Sequence, residues 1–171
     1  LAAQDGVGAV GARRLYGDGR LQQGGGILRG PRGIAGHAHK FLARDCAGYM
    51  GLAMLLQSFS AVTAACLVLR RTHFDAVGGL DERHLAVAFN DVDLCLKLRE
   101  SGLRNVWTPH AELYHHESVS RGADDTPAKA ARFRREVECM SRRWGVRLER
   151  DPAYSPWLAL EREDMSRADR P

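Results

Sequence analysis

An α/β fold is predicted for this chain by three observations. Apolar runs of strand length alternate with helical patterns between Val7 and Tyr114. Two of the helical patterns carry their own start and stop residues. The composition, 44% apolar and 27% charged, is that of an ordinary globular protein. At 171 residues the chain is long enough for one domain with a real core and too short for two.

The elements follow in order. Val7 to Tyr16 mixes small and β-branched residues and reads as a buried strand, with a turn at Gly17-Asp18-Gly19 and a return strand at Leu21-Gln22-Gln23. Gly24 to His39 is glycine-rich, contains Pro31 and has few large apolar residues. It is expected to be a long mobile surface loop that adds little to the core, with His37 and His39 read as solvated in preference to metal ligands. Phe41 to Phe59 leaves room for a short helix around Tyr49 to Leu56. The near-continuous apolar run within Ser60 to Arg70 predicts a central strand covered on both faces.

Arg71 to Val77 reads as a short helix with Phe74 and Val77 inward and Gly78 at its C-terminal cap. A tight loop, Gly78-Gly79-Leu80-Asp81-Glu82, leads towards a second helix that opens at Asn90 and stops at Gly102. Val92, Cys95 and Leu96 fall on one buried face of it. With Asn90 as N-cap, Asp91 and Asp93 lie in the first turn, where the helix dipole favours negative charge. Asn105 to Thr108 is a short strand stopped by Pro109, and Ala111 to Tyr114 another. Thr126 and Pro127 open a last helix, on which Phe133, Val137, Met140 and Trp144 form one apolar stripe before Gly145 ends it. Three parts are expected: the α/β body over 1–125, an amphipathic helix over 126–148 packed on it, and a polar tail over 149–171 tacked down by Tyr154 and Trp157.

A net charge of +4 and a pI near 9.1 suit an anionic substrate or a membrane surface as well as nucleic acid. Nucleic acid is set aside, because no interleaving of aromatic and basic residues marks a base-reading sheet. The four cysteines form no CxxC pair, and Cys66 and Cys95 lie in apolar settings, which predicts reduced core thiols in a cytosolic protein. No apolar run approaches a membrane span and no signal peptide is visible. The opening on Leu1 in mid-pattern is expected of a piece of a longer protein.

Three clusters could carry chemistry: Gly78-Gly79-Leu80-Asp81-Glu82, then Asn90-Asp91-Val92-Asp93-Leu94, then His115-His116-Glu117-Ser118 with Ser120-Arg121-Gly122. Asp91 and Asp93 have two readings, as helix-capping acids or as part of an active-site edge with Asp91 as a general base. Taken by themselves, Asp81 closes a turn and Arg121 is solvated.

In this order, and with Val-Thr-Ala-Ala-Cys-Leu and Arg-Arg-Thr-His-Phe before them and Pro109 between, the clusters resemble the C-terminal half of a family 2 glycosyltransferase. These are inverting nucleotide-sugar enzymes of the GT-A fold, and the likeness is strongest to bacterial enzymes of surface polysaccharides such as O-antigen. The resemblance covers about Val7 to Trp144. It implies a partial, Rossmann-like GT-A fold lacking the N-terminal nucleotide-binding half. It implies Asp91 as the base that deprotonates the acceptor hydroxyl, with Asn90 where the family has Glu. Gly79, Asp81, Asn90 and Asp93 would line the acceptor pocket, Arg121 would pair with the donor diphosphate, and His115 or its neighbour His116 would bind a divalent cation, Mn²⁺ or Mg²⁺.

The implied partners are a nucleotide-sugar donor and a saccharide or lipid-linked saccharide acceptor, at the cytoplasmic side of a membrane. The family's metal-binding Asp-x-Asp motif precedes the region covered, and Asp91-Val92-Asp93 belongs to the base motif instead. The resemblance therefore implies that these 171 residues alone neither bind donor tightly nor turn it over. Two other readings compete: a non-catalytic basic module docking to a membrane-bound assembly through the Arg-rich helix, and a metal-dependent hydrolase using His115, Asp91 and Asp93.

Overall fold

A computed structural model of the chain describes residues 1–28, 33–116, 126–160 and 162–169. Its centre is a parallel pair, β1 (Val7–Leu15) and β7 (Arg104–Tyr114). Val10 lies opposite Val106 and Gly11 opposite Trp107, and the register then jumps, so that Arg13 meets Glu112 and Leu15 meets Tyr114. The jump absorbs residues 109–111 of β7. Pro109 has no N–H to give the ladder, and a bulge is where a strand tolerates it. The two short strands expected here are therefore one bulged strand.

The other edge of β1 is shared by β2 (Leu21–Gln23) and β6 (Leu67–Leu69), both antiparallel to it. β5 (Gln57–Phe59) pairs antiparallel with the outer edge of β7.

The glycine-rich stretch is not the loop expected. It folds into a two-stranded ribbon, β3 (Gly26–Leu28) with β4 (Ala35–His37), whose Ile27, Leu28 and Ile34 are fully buried. The glycines make this close approach available. Gly25 has φ +118°, and a Cβ there would lie 2.2 Å from the Phe59 ring. Tyr49–Met54 is a 3₁₀ turn rather than an α-helix, with Met50 and Gly51 both at positive φ.

The run from Ser60 to Arg70 departs from the central strand expected. Ala61 and Val62 are buried, but Thr63 turns the chain into a 3₁₀ turn, Ala64–Cys66, by accepting the Ala65 N–H. Side-chain acceptors thus compete with the ladder for these amides. What remains is the short β6, half-exposed, with Val68 open to solvent.

The short helix α1 (Arg71–Ala76) ends as expected at Gly78. The second helix, α2 (Asn90–Glu100), differs by one residue at its start: Phe89, in the left-handed region, is the N-cap and Asn90 the first helical residue. Asp91 and Asp93 remain in the first turn. α3 (Pro127–Glu149) opens with Thr126 accepting the Lys129 N–H, but it runs through Gly145 to Glu149. One glycine in a helix costs only about 1 kcal/mol, and one more turn buries Leu148. Beyond α3 the segment is more than a polar tail. Tyr154, Leu158, Ala159 and Met165 are buried, and Asp151 accepts bonds from the Leu28 N–H and the Ser60 hydroxyl. Trp157 is exposed.

α3 is docked by two buried carboxylates. Glu136, 2% exposed, accepts the backbone N–H groups of Val87 and Ala88 just before α2. Asp93, fully enclosed, accepts Arg143 Nη1 at 2.7 Å and Trp144 Nε1 at 2.8 Å, with Lys97 Nζ at 2.8 Å. Burial pushes the Asp93 carboxyl up, but these three partners outweigh it and hold it below its ordinary value. Asp93→Ala leaves the buried Trp144 N–H without an acceptor, while Arg143 keeps Asp81 and Lys97 keeps the Gly79 carbonyl, so urea unfolding is expected to show a loss of about 1–3 kcal/mol.

Burial lowers the imidazoles of His37 and His39 to about 4, from 6.5. The unfolded chain therefore takes up protons between about 6.5 and 4 that the folded chain refuses. Stability is expected to be constant above pH 6.5 and to fall as pH drops towards 4, and His37→Gln should flatten that slope.

Candidate active site

The first turn of α2 forms one side of the site. Asp91 is half-buried there, and its two oxygens accept different amides: Oδ2 the Ala64 N–H at 3.0 Å, Oδ1 the Val92 N–H at 2.9 Å. The 3₁₀ turn that interrupts the Ser60–Arg70 run is thus what carries Ala64 to this carboxylate. Beneath it, Cys95 is buried and its thiol is pushed up to about 12, so it is inert at neutral pH. Asn90 is half-buried beside Asp91 on the same turn.

Gly79 and Asp81 adjoin this turn. Gly79 has φ +63°, and a Cβ would sit 2.8 Å from the Phe74 ring. Its carbonyl accepts Lys97 Nζ at 3.1 Å, which ties the loop to α2. Asp81 accepts the backbone N–H groups of Arg83 and His84, meets His84 Nδ1 at 3.1 Å, and accepts Arg143 Nη2 at 2.6 Å. Burial raises its carboxyl, but Arg143 and His84 hold it well below the usual carboxylate range. Arg143 therefore bridges Asp81 and Asp93. Asp93 itself lies inside the fold, whereas Asp91 and Asp81 are only half-buried.

His115 belongs to a second cluster. Its Nδ1 lies 2.8 Å from Gln22 Oε1 and 3.2 Å from Arg14 Nη1, and Arg14 also bonds Gln23 Oε1. His116 points elsewhere, beside Gly17. His37 belongs to neither cluster; its backbone N–H donates to Glu163 Oε1 at 2.8 Å. Arg121, with Glu117, Ser118, Ser120 and Gly122, lies outside the described residues.

The fit of a divalent cation can be tested on these contacts. A proton on Nδ1, donated to Gln22, would give His115 the lone pair on Nε2 that a metal ligand needs. Against this, a guanidinium stands beside the ring, and no group of three or more His, Cys, Asp or Glu able to hold a metal exists among the described residues. These residues do not by themselves make a cation site.

Sequence reasoning overlooked Arg14 and Gln22, which fix His115, and Arg143, which joins two of the acids. Arg13-Arg14 inside an otherwise apolar strand was the available signal, because a buried guanidinium must find partners. Three of the six arginines of α3 are engaged: Arg143 as above, Arg132 near Glu136, and Arg147 with Glu100, while Arg134, Arg135 and Arg142 are exposed. No helix among the described residues is long and apolar enough to cross a membrane.

Comparison with known proteins adds the following. No family model matches the chain, and no solved structure matches it. It is 59% identical to an uncharacterized protein of Sinorhizobium fredii over 165 residues, 96% of this chain and 18% of that protein. It is 37% identical to an O-antigen biosynthesis protein of Myxococcus xanthus over 159 residues, 92% of this chain and 12% of the relative. It is 40% identical over 70 residues, 41% of the chain and 22% of the relative, to an N-acetylglucosaminyl-diphospho-decaprenol L-rhamnosyltransferase of Mycobacterium tuberculosis. The chain thus spans about a fifth or less of the length of these relatives, which include proteins named for O-antigen biosynthesis and for rhamnosyl transfer.

Proposed function

We propose that this chain is the acceptor-side part of an inverting glycosyltransferase of family 2 and the GT-A fold, with Asp91 as general base. The observation that carries the reading is the setting of Asp91. Its carboxylate is fixed by two amides, lies in the first turn of a helix and stays half-exposed. The names of two relatives support glycosyl transfer at the coarse level.

The proposed reaction follows from that geometry. A hydroxyl of a saccharide or lipid-linked saccharide acceptor donates its hydrogen bond to Asp91. As its oxygen attacks the anomeric carbon of a nucleoside-diphosphate sugar, the proton passes to the carboxylate. The new C–O bond forms on the face opposite the breaking one, the bonding pair leaves with the diphosphate, and the configuration inverts. The Ala64 and Val92 amides hold the carboxylate in one orientation, so little reorganisation accompanies the proton transfer. Arg143 fixes Asp81 and Asp93 on either side, and so positions the loop and helix that frame the acceptor.

Donor-side roles for Arg121 and His115 belong to the proposal. So does a Mn²⁺ or Mg²⁺ cofactor, which would need ligands beyond the described residues; the proton transfer at Asp91 does not depend on it. Action at the cytoplasmic face of a membrane is likewise part of the proposal.

In the protein that carries this chain, Asp91→Asn preserves size and the Ala64 contact while removing the base. Transfer is expected to fall about 10²- to 10⁴-fold, with donor affinity measured by calorimetry unchanged. Turnover that survives the substitution, or donor binding lost with it, would remove Asp91 from this role.

A further inference from the structure

At the opposite end of α2 from Asp91 lies an open cavity of about 270 Å³, lined by Leu28, Leu96, Pro152 and three arginines, Arg99, Arg147 and Arg150. The guanidiniums come from the last turn of α2, the last turn of α3 and the residue that caps α3. Leu28 and Leu96 are buried and form an apolar floor.

The walls are held in place. Between Arg150 and Pro152 stands Asp151, 9% exposed, whose carboxylate grips the Leu28 N–H at 2.7 Å and the Ser60 hydroxyl. That staple fixes the start of the last segment against β3. Arg99 Nη1 reaches the Phe59 carbonyl at 3.5 Å, and Arg147 pairs with Glu100 at 2.8 Å.

A simpler role for these arginines is to offset the negative ends of two helices. Each helix end carries about half a charge, and Glu100 pairs with Arg147. Asp151 spends its carboxylate on the Leu28 amide and the Ser60 hydroxyl, and Arg150 has no ion pair among the described residues.

From this convergence we infer that the cavity binds a phosphoryl or diphosphoryl group. Guanidinium forks match phosphate oxygens with paired N–H donors. Pockets for drug-sized ligands begin at about 300 Å³, so this volume suits a head group and not a whole nucleotide sugar. The apolar floor suits a ligand whose phosphate carries an apolar substituent. The site is separate from the proposed base, and stands or falls independently of it.

The test is calorimetric titration of the chain with inorganic pyrophosphate, together with sedimentation on vesicles of phosphatidylcholine with and without phosphatidic acid. Saturable, salt-sensitive binding is expected, weakened at least tenfold in Arg147→Gln/Arg150→Gln and in Arg99→Gln. Arg135→Gln, on the exposed side of α3, should leave it unchanged. Both arginine positions of the double variant are exposed; near-UV circular dichroism checks its fold, and Arg150→Gln alone serves if that fold is lost. Binding of pyrophosphate alone identifies a soluble phosphate ester as the source. Binding to phosphatidic acid vesicles alone identifies a lipid head group. Absence of both, or equal weakening by Arg135→Gln, overturns the site.

Discussion

The rest of the structure leans on the enclosed carboxylate of Asp93. One buried acid collects a guanidinium, an indole N–H and an ammonium, and the three come from two helices. Taking these charges out of water is costly, and their mutual attraction offsets that cost only when every polar atom finds a partner. The geometry meets that condition by using Arg143 twice, once for Asp93 and once for Asp81. The consequence reaches beyond stability. The register of α3, the first turn of α2 and the loop at Gly79 are set by one another, so none of the three can shift without breaking an ion pair.

The same device recurs wherever the fold has backbone groups to satisfy. Glu136 accepts two amides ahead of α2, Asp151 accepts the Leu28 amide, and Glu163 accepts the His37 amide and pairs with Lys40. Each of these carboxylates belongs to α3 or to the segment after it; Glu136 secures the irregular stretch ahead of α2, and Asp151 and Glu163 secure the ends of β3 and β4. An orphaned buried N–H costs roughly 1–3 kcal/mol, and irregular segments have more of them than helices or ladders do. This accounts for a thin ribbon and several short strands being held beside the long β1–β7 pair.

How far the sequence foretold this depends on the kind of signal. β1, α1, α2 and α3 were legible because caps and apolar spacing act within a few residues of each other. The pairing of β3 with β4 was not, since Gly25 just before β3 serves close packing against Phe59, a partner more than thirty residues away. Nor was the break at Thr63: an apolar run looks like a strand, and only the folded chain shows that Asp91 and Thr63 take two of its amides. In the site, the position of Asp91 in the first turn of α2 was legible from spacing. The bridging role of Arg143 was not, because an arginine on a basic helix looks solvated until its partners are placed.

The divergence of Asp91 and Asp93 is the sharpest case. They are the same residue type, two positions apart, in the same turn. Two residues correspond to about 200° around a helix, so when α3 covers one, the other must face away from it. Asp93 faces α3 and is consumed by structure. Asp91 faces Ala64 and keeps contact with solvent. A helix start that carries both acids can therefore anchor a domain with one and offer the other to a substrate. In the proposed reading the anchoring makes the offer useful, because a base must be held still to take a proton in one direction. Replacing either acid alone tests only half of this arrangement, since the Ala64 and Val92 amides orient the Asp91 carboxylate while the pairing of Asp93 holds the helix that carries it.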